Sequence, residues 1–554
     1  MACWSSAYQR RCSFPARNAP QGPLISCDTS VNIPGLPLIF FLSSFTSTVT
    51  MGISYSRPAP AYDEKLASQK QIARDTKSSP PAYPDEALSP PPYEVRNPEP
   101  SLSLRRLEDW NDALLSDPKN RLAISALGTQ SYTQALTNRS SVASDLHLFN
   151  LRVPIEGAPI TNQRSSGRCW LFASTNILRV PLIKAYNLPS FELSQAYLFY
   201  WDKLEKANWF FEQIIDTADE DLDSRLVQKL LQDPVTDGGQ WDMVANLVEK
   251  YGVVPHSVYP DNFNAQNSSK MNWVLTAKLR EQALALRKLI NSSHAADRAQ
   301  VPGAKERFLK EIHSLVTILL GPPPRPDEEV VWQFYDAKGK AREVRQTPLG
   351  FARQVSLRRA PEKKLGKSQP RFFSLVNDPR NEYNRLLTVD RLGNVVEGRS
   401  LTYVNVEMKI LKTAVIAMLK GGHPVFFGCD VGKFSDRDLG VLDADLFDLT
   451  LGFNISLGLT KAERLASGES AMTHAMVITA VHLDDSGNPV RWRVENSWGE
   501  TAGDKGWFVM TDKWMSEYTF QAVVDGDYVS GEIRDILSQE PKVLPRWDPL
   551  GVLA

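Results

Sequence analysis

An α+β fold is the architecture this sequence predicts, and two observations carry it: apolar residues recur at helical spacing between Leu102 and Leu320, and from about Val330 the pattern shortens toward that of strands. A third observation sets the broad class. Hydrophobic residues make up 42% of the 554, aromatics 9% and charged residues 23%, which excludes a collagen, a wholly disordered chain and a multi-span membrane protein. The 63 Lys+Arg and 64 Asp+Glu leave a formal net charge of −1, so no whole-chain attraction to nucleic acid or to an anionic membrane operates. The length exceeds that of one ordinary core and predicts several domains or one heavily decorated one. Five cysteines, Cys3, Cys12, Cys27, Cys169 and Cys429, are too few and too scattered for a disulfide framework and point to a reducing compartment.

In chain order, residues 1–50 carry Arg10, Arg11 and Arg17 against the single acid Asp28 and are rich in serine. They read either as a mitochondrial-type transit peptide or as an upstream extension ahead of a start at Met51. The apolar run Leu36–Leu42 is interrupted by Pro37 and is far shorter than the ~20 residues of a membrane span, so no transmembrane helix is expected. A start at Met51 places Gly52 to Ser56 in an N-myristoylation pattern. Residues 51–101 are proline-rich and cannot bury a core. Within them Pro80–Tyr83 and Pro90–Tyr93 both have the Pro-Pro-x-Tyr form that WW domains dock; a plain linker is the other reading.

Folded sequence is expected from residue 102. Leu104, Leu107, Trp110, Leu114 and Leu115 mark a helix that Asp117-Pro118 stops. Glu192 to about Leu231 is rich in helix formers, with Ser194 as N-cap. Further helices are predicted over Asn272–Ile290, with Trp273, Leu275, Leu279, Leu284 and Leu286 apolar, and over Lys305–Leu320, ended by Gly321 and three prolines. Together they form a helical insertion at about 261–325. Strands are expected at Val404–Val406, Val425–Phe427 and Met476–Val481. Seven basic residues between Arg353 and Arg371 form a stretch that reads as a solvated loop or as a phosphate contact.

Cys169 follows small and polar residues and precedes a helix-compatible run. The thiol then sits at a helix N-terminus, where orphan amides and the macrodipole lower its pKa. Pro181 predicts a kink or an early end of that helix. Gln163, six residues upstream, offers an N–H donor to an oxyanion beside the Cys169 backbone N–H. Strand alternation puts His474 on one face with Met476 and Ile478; the turn Asp484–Asn488 then returns the chain as a strand with Trp492, Val494 and Asn496 on one face. Such a hairpin brings the His474 imidazole to the Asn496 amide, with Trp498 shielding the bond from water. His423 reads as a turn residue, His482 as a strand end and Cys429 as a core thiol.

The order Gln163, Cys169, His474, Asn496, with Cys169-Trp170 and Asn496-Ser497-Trp498-Gly499, resembles the papain-like cysteine peptidases. The chain departs from the secreted members in having Gly167-Arg168 where they carry a second cysteine, and in the wide gap between Cys169 and His474. Leu193–Tyr197, Asp237–Trp241, Arg391–Val395 and the tail Trp547–Ala554 are similar to the bleomycin hydrolase family over roughly 102–554. That resemblance implies a papain-like core, a helical left part and an antiparallel β-barrel right part, with helical and hook insertions and a C-terminal arm at about 541–554. It implies a cysteine-type aminopeptidase of broad specificity, acting on peptides, on an amide of bleomycin and on homocysteine thiolactone. It further implies a homohexamer, with nucleic-acid binding in some members and no metal or cofactor. Gly238 and Gly239 correspond to the wall against which the substrate backbone lies, Trp498 is counted with the substrate-binding residues, and the Ala554 carboxylate corresponds to the group that pairs with a substrate's α-amino group. A cytoplasmic location is implied, and a mitochondrial one for the form starting at Met1. The alternative is a regulatory or nucleic-acid-binding protein that keeps the peptidase fold.

Overall fold

The computed structural model describes residues 102–144, 147–355 and 370–553, all within one compact unit, Glu99–Ala554. The extension 1–50, the Met51 motif, both Pro-Pro-x-Tyr motifs, most of the basic stretch and Ala554 lie outside the described residues.

Helices come first, strands second. Cys169–Tyr186 is a helix buried along almost its whole length, from Cys169 to Ile183. It does not end at Pro181 but runs to Tyr186, because Pro181 lies on its exposed side and the surrounding packing holds the turn that lacks a hydrogen bond. Ser194 caps Gln195–Asp216 by accepting from Tyr197 N–H. The helical block anticipated up to Leu231 is two helices, Gln195–Asp216 and Arg225–Gln232, broken where Thr217 ends the first. Ser269–Ile290 and Val301–Leu320 pack on each other and on Gln195–Asp216. Leu275, Leu279 and Leu286 form the buried stripe of the former. Trp273 and Leu284, expected with them, fall on the outer face and are exposed.

Among the described residues Val330–Tyr335 with Ala341–Gln346 forms a separate antiparallel pair, and twelve strands form one sheet. Its central run is Thr519–Asp525, Val425–Cys429, His474–Leu483, Pro489–Glu495 and Trp507–Thr511, each antiparallel to the next. The antiparallel expectation needs one amendment, since three outer pairings are parallel: Phe372–Val376 with Tyr403–Asn405, Arg385–Val389 with Lys542–Leu544, and Trp507–Thr511 with Val441–Leu442. In each the partners are separated by a connection long enough to cross over and return in the same sense. The Cys169 helix packs against the His474 strand, so the first half of the chain meets the second at that line.

The N-terminal helix Leu104–Ser116 forms as its spacing predicts, capped by Ser103, but none of its residues is buried. Trp110 is 55% exposed and Leu104 78%. At the other end the C-terminal arm is tied down repeatedly. Lys542–Leu544 joins the sheet edge, Asp548 pairs with Arg380 at 2.9 Å, and Trp547 lies 4.1 Å under the Arg225 guanidinium.

Candidate active site

The Cys169 helix starts at the thiol itself, because Arg168 leaves helical geometry and acts as N-cap without a side-chain bond. Arg168 is instead committed elsewhere. Its guanidinium, fully buried, makes a bidentate pair with Asp261 at 2.9 and 2.7 Å and donates through Nε to Ser166 Oγ at 2.9 Å. This clamp fastens the loop before Cys169 to the helical insertion at the place where a secreted relative would have a cysteine.

His474 opens its strand and is buried. Its Nε2 lies 3.0 Å from Asn496 Oδ1, and that oxygen also accepts the Ser497 N–H at 2.8 Å. The second bond fixes which end of the amide faces the ring, so Nε2 carries the proton and Nδ1 is left as the base. The Trp498 ring covers the imidazole at 5.0 Å between centroids, tilted by 32°. Trp498 is itself held by pairing with Asn162, where a Cβ on Gly499 would strike the Asn162 amide at 2.3 Å.

Gln163 sits in the same shell. Its backbone N–H donates to Ser497 O at 2.8 Å and its Oε1 accepts from Ser497 Oγ at 2.7 Å. One N–H of its Nε2 is taken by Ser166 O at 2.7 Å, which leaves the amide's second N–H for an oxyanion.

The electrostatics overturn one expectation. The N–H groups of Ala475, Trp170 and Cys169 reach toward the Cys169 sulfur and lower its pKa, yet burial is the larger influence and pushes the thiol up to about 11. Burial likewise lowers His474 to about 4, against the raising effect of the Asn496 bond. Burial thus opposes the helix N-terminus at Cys169 and opposes the Asn496 bond at His474. Cys429 is the strand partner of His474, buried and with its thiol pushed well up by burial, as a core thiol should be.

Behind the site lies a set of buried ions. Asp237 accepts from Lys203 Nζ at 2.7 Å, Asn272 Nδ2 at 2.7 Å, Gly167 N–H at 3.0 Å and Ser268 Oγ, while its backbone carbonyl accepts the Trp170 indole N–H at 2.7 Å. Burial raises the Asp237 carboxyl, but these donors, Lys203 first, hold it well below the usual range. Lys206 pairs with Asp202 at 2.6 Å and donates to Gly238 O at 2.6 Å and Thr236 O at 3.0 Å. At Gly239 the missing Cβ is needed by the nucleophile helix, since an added one would lie 2.4 Å from the Trp170 ring. Gln240 Nε2 donates to Val552 O at 3.0 Å, and Leu553 lines a small cavity with Lys206, Trp209, Phe210, Arg391 and Arg546.

Sequence reasoning lists Cys169, His474, Asn496 and Gln163 together and passes over Ser497, Arg168, Asp261, Lys203, Lys206 and Gln240. The available signal was charge on an otherwise aromatic helix, at Asp202, Lys203 and Lys206.

Known proteins resemble the chain over most of its length. The sequence profile described as Peptidase C1-like family matches residues 101–551. A protein named "Bleomycin hydrolase" from Mus musculus is 44% identical over 449 residues, 80% of this chain and 96% of that relative. "Cysteine proteinase 1, mitochondrial" from Saccharomyces cerevisiae (strain ATCC 204508 / S288c) is 42% identical over 462 residues, 82% of this chain and 93% of that relative. The crystal structure of PepW from Lactobacillus rhamnosis superposes with a TM-score of 0.76 at 38% identity, covering 82% of this chain and all of that one.

Proposed function

The chain belongs to the peptidase C1-like family and is a cysteine peptidase; on that premise we propose that Cys169, His474, Asn496 and Gln163 carry out aminopeptidase chemistry. The bond from His474 Nε2 to Asn496 Oδ1 is the observation that carries the assignment, because it leaves Nδ1 as the base of a ring that borders the Cys169 sulfur through Ala475. Nδ1 takes the thiol proton as the sulfur attacks the first peptide carbonyl, and the Cys169 N–H with the Gln163 amide stabilises the oxyanion. The imidazolium gives that proton to the leaving amine as the C–N bond breaks. A water, deprotonated by Nδ1, then hydrolyses the thioester and releases the N-terminal residue as a free acid.

Gly238, Gly239 and Trp498 line the route of the substrate backbone. The arm supports an amino-terminal preference: Gln240 holds Val552 and Leu553 lines the neighbouring cavity, so a carboxylate at Ala554 would pair with the substrate's α-amino group. By the names and resemblance of its relatives, the chain's substrates include the bleomycin amide and homocysteine thiolactone, which present the same acyl carbon to the thiol. The exposed apolar face of Leu104–Ser116 supports assembly into a homohexamer, and a form starting at Met1 would enter mitochondria.

Hydrolysis of one fluorogenic aminoacyl amide, with its amino group free and then blocked, tests the proposal on wild type and on a chain lacking its last residues. Cleavage of the free amine alone, with gain of the blocked substrate on truncation, is expected. Equal cleavage of both by wild type would remove the Ala554 role and leave an endopeptidase.

A further inference from the structure

Three polar residues that the proposed reaction does not touch meet in a sealed cluster behind it. Arg179 and Glu495 pair at 2.6 Å, both side chains fully excluded from solvent. Asn176 Nδ2 donates to the same Glu495 Oε1 at 2.9 Å and to Thr161 Oγ1 at 3.0 Å. Arg179 Nη1 reaches Pro159 O at 2.8 Å and Phe191 O at 3.4 Å. A Cβ on Gly157 would lie 2.7 Å from the guanidinium, so the chain leading to Gln163 passes directly across it. Thr161 O accepts the Gly499 N–H at 3.0 Å, just beyond Trp498.

Four members of this cluster, Arg179, Asn176, Thr161 and Glu495, belong to segments that supply a group of the site. Arg179 and Asn176 are on the Cys169 helix. Thr161 lies two residues before Gln163, and Glu495 immediately precedes Asn496. We propose that Glu495 is a positioning residue: paired as a carboxylate with Arg179, it holds the Cys169 helix, the Gln163 loop and Asn496 in reacting register. The inference rests on the peptidase assignment above. A buried ion pair is a poor way to gain stability, since apolar packing of the same volume does as well or better. It is a good way to fix three separate chain segments to one point, and a misplacement of about 1 Å at a reacting group costs on the order of a hundredfold in rate.

The cluster also has a titration of its own. The charged groups facing Glu495 are Arg179 from the helix and Glu156 and Glu192 from neighbouring segments, with Arg493 neutralising Glu156 at 2.9 Å. Burial, aided by Glu156, raises the Glu495 carboxyl to about 7 against the pull of Arg179. Burial moves His474 down to about 4 and Cys169 up to about 11, both away from that point. Protonation of Glu495 below that point removes one side of the brace, so kcat gains an acid limb near pH 7 that the Cys–His pair does not supply.

The test is the pH dependence of kcat and KM for a free aminoacyl amide, on wild type and Glu495→Gln, which keeps the shape and the Oε1 acceptor. Wild type is expected to rise about tenfold through pH 7; the Gln variant loses that limb and stays near the wild-type low-pH level, with KM changed less than about twofold. A Gln variant with the wild-type limb and kcat overturns the proposal, as does a wild-type kcat flat across pH 7. Should Glu495→Gln fail to fold, Arg179→Lys keeps the charge but loses the guanidinium fork: lowered kcat at unchanged KM supports the role, and wild-type kcat refutes it. Absence of any Cys169-dependent hydrolysis by folded wild type counts against the peptidase assignment, whereas hydrolysis with a flat profile counts against Glu495 only.

Discussion

The two sides of the cleft are built on opposite electrostatic plans. The His474 ring itself is held by a neutral hydrogen bond to Asn496, which Ser497 bonds in turn, and the ion pair Arg179–Glu495 stands one residue behind. Around Gly238 and the loop leading to Cys169 the supports are buried ions: Asp237 with Lys203, Asp202 with Lys206 and Arg168 with Asp261. A fixed charge next to a proton carrier would lock one protonation state, whereas a fixed charge under a wall locks geometry. The difference teaches where each kind of bond is useful.

The largest effect expected on this contrast is from Cys169→Ala, which should lower kcat/KM at least about a thousandfold while leaving thermal stability close to wild type. An active Cys169→Ala enzyme would end the assignment of chemistry to this side. Next, Asp237→Ala leaves Lys203 buried without its carboxylate and should cost about 3–5 kcal/mol, read as a shift in denaturant midpoint at unchanged slope. A loss below about 1 kcal/mol would mean that the ions of the wall are not its supports. Asn496→Ala should lower kcat about a hundredfold with a small change in KM, since it frees the imidazole to turn without removing it.

The smallest effect distinguishes the sides by pH. His474 has a folded pKa lowered to about 4 from 6.5. The unfolded chain therefore takes up its proton first as pH falls, and stability contributed by the neutral ring is full above pH 6.5 and lost on acidification toward 4. Asp237, depressed below the usual carboxylate range, loses its contribution only at still lower pH. Glu495, raised to about 7, acts with the opposite sign, its contribution falling as pH rises from 4.5. The His474 part is isolated as the difference between wild type and His474→Ala: the variant should lose the downward slope in midpoint between pH 6.5 and 4, and an unchanged slope would contradict the buried neutral ring.

Much of this arrangement was readable along the chain, and the unread part has a common cause. Period two around Met476 and Ile478, the turn at Asp484–Asn488 and the N-cap at Ser194 are local patterns, and each element forms where its pattern lies. Periodicity reports which residues share a face but not what that face meets. Leu104, Trp110 and Leu114 make a correct helix whose apolar face is exposed, and Trp273 has the spacing of a core residue without being one. The ion pairs Arg168–Asp261 and Arg179–Glu495 join residues far apart in sequence, where no period couples them. Helix dipole reasoning at Cys169 gives the direction in which the backbone N–H groups act but carries no information on burial, which acts the other way. The early end read from Pro181 does not occur for the same reason, its cost being set by packing beyond the helix.

The contact between Gly239 and the Trp170 ring has a consequence for how this enzyme can be re-engineered or can evolve. Any side chain at 239 must evict an indole that is bonded to Asp237 and that follows the nucleophile in the chain. The proposed substrate wall and the Cys169 helix are therefore one inheritable unit. Selection for new acyl groups will accumulate changes around the arm and its cavity, which Leu553 lines, and will leave 239 alone.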